Sequence, residues 1–330
     1  MGVLISLLTV IVLVLLATLG AGPAGFSYVF GVVLPYLAFA IFVIGVVNRV
    51  VGWAGSPVPF RIPTTCGQQK SLRWIKEDNL ESPHNLTGVI GRMILEVLFF
   101  RSLFRNTKTD VREGPRVTYM AEKLLWAGGL AFHWSFLIII LRHFKYFTVP
   151  VPSWVTTIQG LDGFFQIGLP IILASDVVVV AALTFLFFRR VIDPKVRYIS
   201  LPADYFALFL LLGITISGIV MRYFIKIDIV SVKQLAVGLM SFNPTVPEGI
   251  GSVFYVHLFL VSVLLAYFPF SKLMHMAGVF MSPTRNLAND NRARRHVNPW
   301  DYPVKVHTYE EYEDEFRDKM KAAELPVEKE

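Results

Sequence analysis

Six long apolar blocks run through this chain, at roughly residues 3 to 20, 27 to 49, 122 to 143, 164 to 188, 204 to 225 and 252 to 275. Each approaches the ~20 residues that carry a helix across bilayer hydrocarbon, where a segment must satisfy its own backbone N–H and C=O groups. The composition is 54% hydrophobic and 17% charged, and the apolar residues are gathered into these blocks rather than scattered. An all-α integral membrane protein is expected, a six-transmembrane-helix bundle rather than a soluble domain around one core. The first block follows Met1 and Gly2 with no basic n-region, so a retained helix is expected and not a signal peptide.

Charge then gives topology. Formal net charge is +7, with 31 Lys and Arg placed almost entirely outside the apolar blocks. That distribution follows the positive-inside rule and argues against a nucleic-acid role. The 53 to 120 loop, the 189 to 203 loop and the tail around Arg292, Arg294 and Arg295 are basic, whereas the connections at 20 to 26, 144 to 163 and 226 to 251 are poor in charge. Both termini are therefore expected on the cytoplasmic side of the inner membrane. One cysteine, Cys66, leaves no internal disulfide, no Cys-ligated iron–sulfur cluster and no CxxCH haem attachment.

Four of the seven histidines fall in two blocks: His133 and His143 ten residues apart, His257 and His275 eighteen apart. An imidazole without a partner in hydrocarbon costs several kcal/mol, and ligating an iron cofactor removes that cost. Ten helical residues rise about 15 Å and eighteen about 27 Å, so each helix can present one imidazole near each membrane face. Opposed antiparallel, the two helices pair His143 with His257 toward the outside and His133 with His275 toward the cytoplasm. Two haems could then be held non-covalently. Hydrogen bonding between helices is the plain alternative for any single histidine; four at matched depths make it weaker. Eighteen residues put His257 and His275 on one helix face, with Pro269 available to kink the span and His275 near its end. Gly128, Gly129, Gly213 and Gly218 would admit a flat macrocycle or close helix packing equally well.

The histidine spacing, order and span count make the last five spans resemble the gamma subunit of respiratory nitrate reductases, a membrane cytochrome b whose second and fifth helices carry haem-ligating pairs. With the stretches IPTTCGQQKSLRWIKEDNL and SPTRNLANDNRARRHVNPWDYP, the whole chain resembles the DsrM-type subunit of the transmembrane Dsr complex of sulfate- and sulfur-metabolising prokaryotes. That resemblance implies two haem b groups on His133, His143, His257 and His275, and menaquinone as a diffusible substrate. It further implies a cytoplasmic iron–sulfur partner of the heterodisulfide-reductase type, alongside other membrane and extracytoplasmic cytochrome c subunits, in sulfur-compound respiration. The implied division is an extra helix at 1-26, a second at 27-52, a cytoplasmic loop at 53-121, a di-haem four-helix core at 122-275 and a partner-binding tail at 276-330.

Other polar residues carry weaker signals. Asp176 interrupts the fourth block near its middle, as a proton relay, a quinone partner or a neutral hydrogen-bonded acid. Arg142, Lys145, Tyr146 and Asp162 gather near His143, where they could meet propionates or a quinone oxygen or simply anchor the interface. Residues 88 to 104 are too short and too charged to span, and an amphipathic interfacial helix is expected. Cys66 and His84 receive no chemistry, and Trp74, Trp300 and Tyr302 are candidate docking anchors. Two rivals remain, a proton- or ion-coupled transporter using Asp176, and a cofactor-free anchor.

Overall fold

Helix α1 (Gly2–Ala21) is apolar on every side, as a helix facing lipid on much of its surface should be. Its hydroxyls bond back to its own carbonyls, Thr9 to Ile5 and Thr18 to Val14, at 2.8 Å each, so none is left bare in hydrocarbon. Helix α2 (Leu34–Ala54) follows a π-helical turn at Val29–Val33, with a proline in its first turn. The computed structural model describes residues 1–56, 67–114, 116–166, 170–294 and 306–329. Arg61, Cys66, Arg295, Trp300 and Tyr302 lie outside those residues.

The first long loop is structured. Helix α3 (Leu86–Phe99) starts where the Asn85 side chain accepts from the Gly88 N–H at 2.8 Å, an N-cap. It stops at Phe100, whose φ of 51° is left-handed, and a single turn, α4 (Arg101–Phe104), follows. Strands β1 (Thr107–Arg112) and β2 (Arg116–Ala121) then form an antiparallel hairpin. After α5 (Lys123–Phe147) and α6 (Ser153–Asp162), β3 (Gly163–Phe165) pairs with β4 (Ile172–Leu173). The chain is mostly helical, as an all-α membrane protein should be, and these two short strand pairs lie in the connections between its helices.

Next come α7 (Ala174–Ile192), α8 (Pro194–Tyr198), α9 (Pro202–Ile219) with a π-helical turn at Val220–Phe224, α10 (Ile229–Met240) and α11 (Ser252–Tyr267). Short elements α12 (His275–Gly278) and α13 (Pro283–Asn286) lead to the tail helix α14 (Tyr309–Ala322). Among the described residues, five helices are long and apolar enough to cross a membrane: Gly2–Ala21, Val29–Ala54, Lys123–Phe147, Pro202–Phe224 and Ser252–Phe270. This is a multi-pass membrane protein.

Two spans differ from the sequence expectation. The fourth block was expected to be helical from about 164, but helix α7 begins only at Ala174 because the residues before it include the extended β3 and β4. Asp176 consequently sits in the first turn of α7 and not at mid-span. The sixth block is not one helix: α11 ends at Tyr267, and 3-10 turns occupy Phe268–Phe270 and Lys272–Met274. Pro269 has no N–H to continue the ladder. His257 and His275 therefore do not share one uninterrupted helix face.

Packing runs α5 on α7, α7 on α9, α9 on α1 and α11, and α11 on α1 and α2. Lipid supplies no hydrophobic drive between helices, so close approach of small residues matters. Gly213 lies against Leu260 and Val10, Gly128 faces the Phe185 ring, and Ala17 is fully buried. Those glycines serve helix packing. Val10, Ala17, Leu210, Ile214, Val256 and Leu260 form one buried cluster, and Val179, Leu183 and Leu211 form another against Phe132, Phe136 and Ile139. The direct pair of α5 with α11 is not among these close packings; α5 carries His133 and His143, α11 carries His257, and His275 opens α12.

Candidate functional site

His133 and His143 of α5 meet His275, at the start of α12, and His257 of α11 in two pairs. His143 and His257 have ring centroids 6.3 Å apart and planes 10° from parallel. His133 and His275 are 5.9 Å apart, with planes at 84°. Metal–nitrogen bonds of about 2 Å on opposite sides of one ion place two imidazole centroids on the order of 6 Å apart. Both separations fit that span.

Hydrogen bonds set the tautomer. The Nδ1–H of His133 donates to the Gly129 carbonyl at 2.7 Å, and that of His143 to Ile139 at 2.7 Å. His257 donates to Ile214 at 3.0 Å beside the Ser217 hydroxyl, and His275 to Lys272 at 2.9 Å. A carbonyl oxygen can only accept, so each Nδ1 carries the proton and each Nε2 keeps its lone pair. Metal-ligating histidines are oriented this way, with the second nitrogen tied to a carbonyl or carboxylate. No Nε2 of the four has a hydrogen-bond partner among the described residues. No group of three or more His, Cys, Asp and Glu able to hold a free ion occurs among the described residues either. Pairs of imidazoles are what a macrocyclic iron needs, since the ring supplies the remaining ligands. The donor set fits haem.

Aromatic rings surround the pairs. Phe100 and Phe132 each meet the His133 ring edge-on at 4.9 Å, and Tyr146 meets His143 at 5.8 Å. Gly218 lies beside His257, whose Cε1 would be 3.4 Å from an added Cβ, ordinary van der Waals contact. His275 is the exposed member of the four, at the end of the bundle.

Arg142, next to His143 but on another face of α5, enters a buried ionic network. Its guanidinium reaches Asp162 at 3.1 Å and Asp176 at 2.6 Å, and donates to the Ser175 hydroxyl at 2.9 Å. Ser175 donates its N–H and its hydroxyl to Asp162 at 2.8 and 2.7 Å. The Tyr223 hydroxyl donates to Asp176 at 2.9 Å, and Arg222 stands 3.9 Å from the same carboxylate. Two cations face two anions, which reduces the desolvation cost of burying them. Of the sequence candidates, Arg142, Asp162 and Asp176 come together here, while Lys145 and Tyr146 do not. Lys145 donates instead to Gln159 at 3.0 Å. With Tyr146, Thr156, Lys233 and apolar Val151, Val155 and Ile229, this pair lines a cleft of about 340 Å³ beside His143. Ser175, Gln159, Ser217, Arg222, Tyr223 and Lys233 were not among the sequence candidates. For Ser217 the one available signal was a hydroxyl inside an apolar span.

Comparison with known proteins gives the family. Residues 88–294 match the nitrate reductase gamma subunit family, a range that contains all four histidines and leaves α1 and α2 N-terminal to it. The chain is 52% identical over 280 residues, 83% of each chain, to the Hdr-like menaquinol oxidoreductase cytochrome b-like subunit of Archaeoglobus fulgidus. It is 44% identical over 275 residues, 81% of each chain, to the protein of the same name from Archaeoglobus profundus. The nitrate reductase gamma chain of Bacillus subtilis is 26% identical over 211 residues, 61% of this chain and 93% of that one. The chain belongs to the nitrate reductase gamma subunit family, with Hdr-like menaquinol oxidoreductase cytochrome b-like subunits among its curated relatives.

Proposed function

We propose that this chain is a di-haem b electron-transfer subunit linking menaquinol to a cytoplasmic, heterodisulfide-reductase-like iron–sulfur subunit. The observation that carries the reading is the pairing of His143 with His257 and of His133 with His275, every Nδ1–H tied to a backbone carbonyl. When bound, each haem would supply one-electron chemistry, held by His143 with His257 or by His133 with His275. The names of the Archaeoglobus relatives supply menaquinol and the Hdr-like character.

The chain's own residues have definable parts. Its four imidazoles ligate, and Phe100 and Phe132 keep the His133 ring in an apolar setting. Beside His143, Lys145 Nζ and Gln159 Oε1 offer a donor and an acceptor 3.0 Å apart, which suits a quinol head group entering the cleft they line with Tyr146. Asp176, held by Arg142 and Tyr223, fits an ionic tie at a helix end better than a mid-membrane relay. Six crossings, counting α7, put both termini and the basic 53 to 120 loop on the cytoplasmic side. Quinol is then oxidised toward the outside and its electrons leave toward the iron–sulfur subunit, in service of sulfur-compound respiration; flow in the opposite direction uses the same path. Further membrane and cytochrome c subunits complete the assembly.

A visible spectrum of the purified chain after dithionite reduction tests this directly. Split b-type bands and two haems per chain are expected. A colourless, folded protein would remove the reading and leave the anchor.

A further inference from the structure

Helix α3 has its polarity reversed relative to a helix facing water. Its two ionic residues turn toward protein: Arg92 is buried and donates to the Thr284 carbonyl at 3.2 Å. Glu96 receives the Ser102 N–H and hydroxyl at 2.9 and 2.7 Å and Arg285 at 3.3 Å. The face turned away from protein is Leu86, Ile90, Ile94 and Leu98, four residues apart and 72%, 51%, 49% and 39% exposed. Spacing of four residues makes one continuous stripe along a helix. Among the exposed residues of α3 only Thr87 is polar.

Depth identifies what covers the stripe. The carbonyls of Phe99 and Leu98 accept from the indoles of Trp126 and Trp134, at 2.8 and 3.0 Å. Phe100 meets His133, and Leu103 lies 3.5 Å from where a Cβ on Gly129 would stand. All four partners belong to the first half of α5, and Trp134 is eleven residues, about 16 Å, along that membrane-spanning helix from Lys123. The C-terminal end of α3 therefore lies beside α5 at hydrocarbon depth. There the exposed α5 residues Trp134, Leu137 and Ile140 face lipid, and the α3 stripe continues that surface.

We propose that α3 is a monotopic membrane helix whose Leu86, Ile90, Ile94 and Leu98 face is immersed in the acyl chains of the leaflet beside α5. The occupant is lipid, and the inference stands apart from the haem reading. It also sharpens the expectation of an interfacial amphipathic helix, because the polar side of α3 is covered by protein instead of head groups.

The test uses the full chain reconstituted in phospholipid bilayers, with Cys66→Ser and then single cysteines at Leu86, Ile90, Ile94 and Leu98 carrying a nitroxide. Collision with molecular oxygen, which concentrates in lipid, is compared with collision with a water-soluble nickel chelate. Oxygen is expected to exceed nickel several-fold at Ile90, Ile94 and Leu98, with the ratio rising from Leu86 to Leu98. Nickel collision equal to or above oxygen at Ile90 and Ile94 would make the face aqueous and overturn the proposal. Exclusion of both reagents would mean a protein cover, a partner subunit or a second copy, and would overturn it equally. The three inner positions test it independently, so loss of one variant to misfolding leaves the measurement intact.

Discussion

A carbonyl on each Nδ1 fixes where the four imidazoles can act, and it makes the loss of any one of them specific. Replacing His143 or His257 by alanine is expected to remove one haem and leave the other. Replacing His133 or His275 is expected to remove the second, because each iron needs both members of its pair. Haem-to-protein ratios and low-temperature spectra of the four variants check this; joint loss of His143 and His275 as a pair would contradict the observed partners. Arg142 belongs to the same scale. Its guanidinium answers two buried carboxylates, Asp162 and Asp176, so Arg142→Leu leaves uncompensated charge behind. Breaking a buried pair from one side costs about 3 to 5 kcal/mol, and a clear drop in thermal midpoint is expected. Asp162→Asn with Asp176→Asn in the same chain should recover part of that loss.

At the scale of elements, the placing of His275 depends on neighbours of a broken helix. Where α11 gives way at Pro269, Gly45 of α2 packs so closely that an added Cβ would stand 2.6 Å from the Pro269 Cβ. One turn on, Arg49 donates to the Pro269 carbonyl at 3.0 Å. Lys272, whose carbonyl receives the His275 Nδ1–H, is held by Asp204 at 2.8 Å. Gly45→Leu is expected to displace this corner and shift the spectrum of the His133/His275 haem, leaving the His143/His257 haem as it is. Equal effects on both haems would mean a general packing fault. The β1–β2 hairpin gives a pH prediction. Lys108 bonds Asp193 at 3.0 Å and Lys195 donates to the Thr109 carbonyl at 2.9 Å, which ties the hairpin to α7 and α8. The bond from Lys108 holds the Asp193 carboxyl below its ordinary range. A lowered native pKa means stability present above the unfolded value, near 4, and lost as pH falls through the native one. Protection of the hairpin amides, taken relative to the intrinsic exchange rate at each pH, is expected to fall below about pH 4 and to lose that pH dependence in Asp193→Asn.

At the scale of the molecule, we propose the tail and first loop as the partner surface. Trp74 is 79% exposed, and α14 forms its own compact unit. A Thr308 capping box starts that helix, and Glu313 accepts from the Glu328 and Lys329 N–H groups at 2.8 and 2.9 Å. Deleting residues 290 to 330 is expected to weaken association with the iron–sulfur subunit while both haems stay bound, since no ligand is removed. Co-purification with a haem assay measures both, and an intact complex with normal quinol oxidation would make the tail dispensable.

How far residues alone reach follows from what hydropathy can encode. Lipid demands long apolar helices, so the sequence determined the multi-pass class, and the spacing of His133, His143, His257 and His275 determined which imidazoles could pair. Apolar character does not distinguish helix from extended chain in short runs. The start of α7 at Ala174, and with it the place of Asp176, was therefore decided by the tertiary structure. So was the end of α11, where proline permits a break but packing against Gly45 and Arg49 sets its direction. The partners of Arg142 come from α6 and α7, separated from it by 20 and 34 residues, and ionic contacts at that range have no local pattern in sequence. Only the folded bundle brings those charges together.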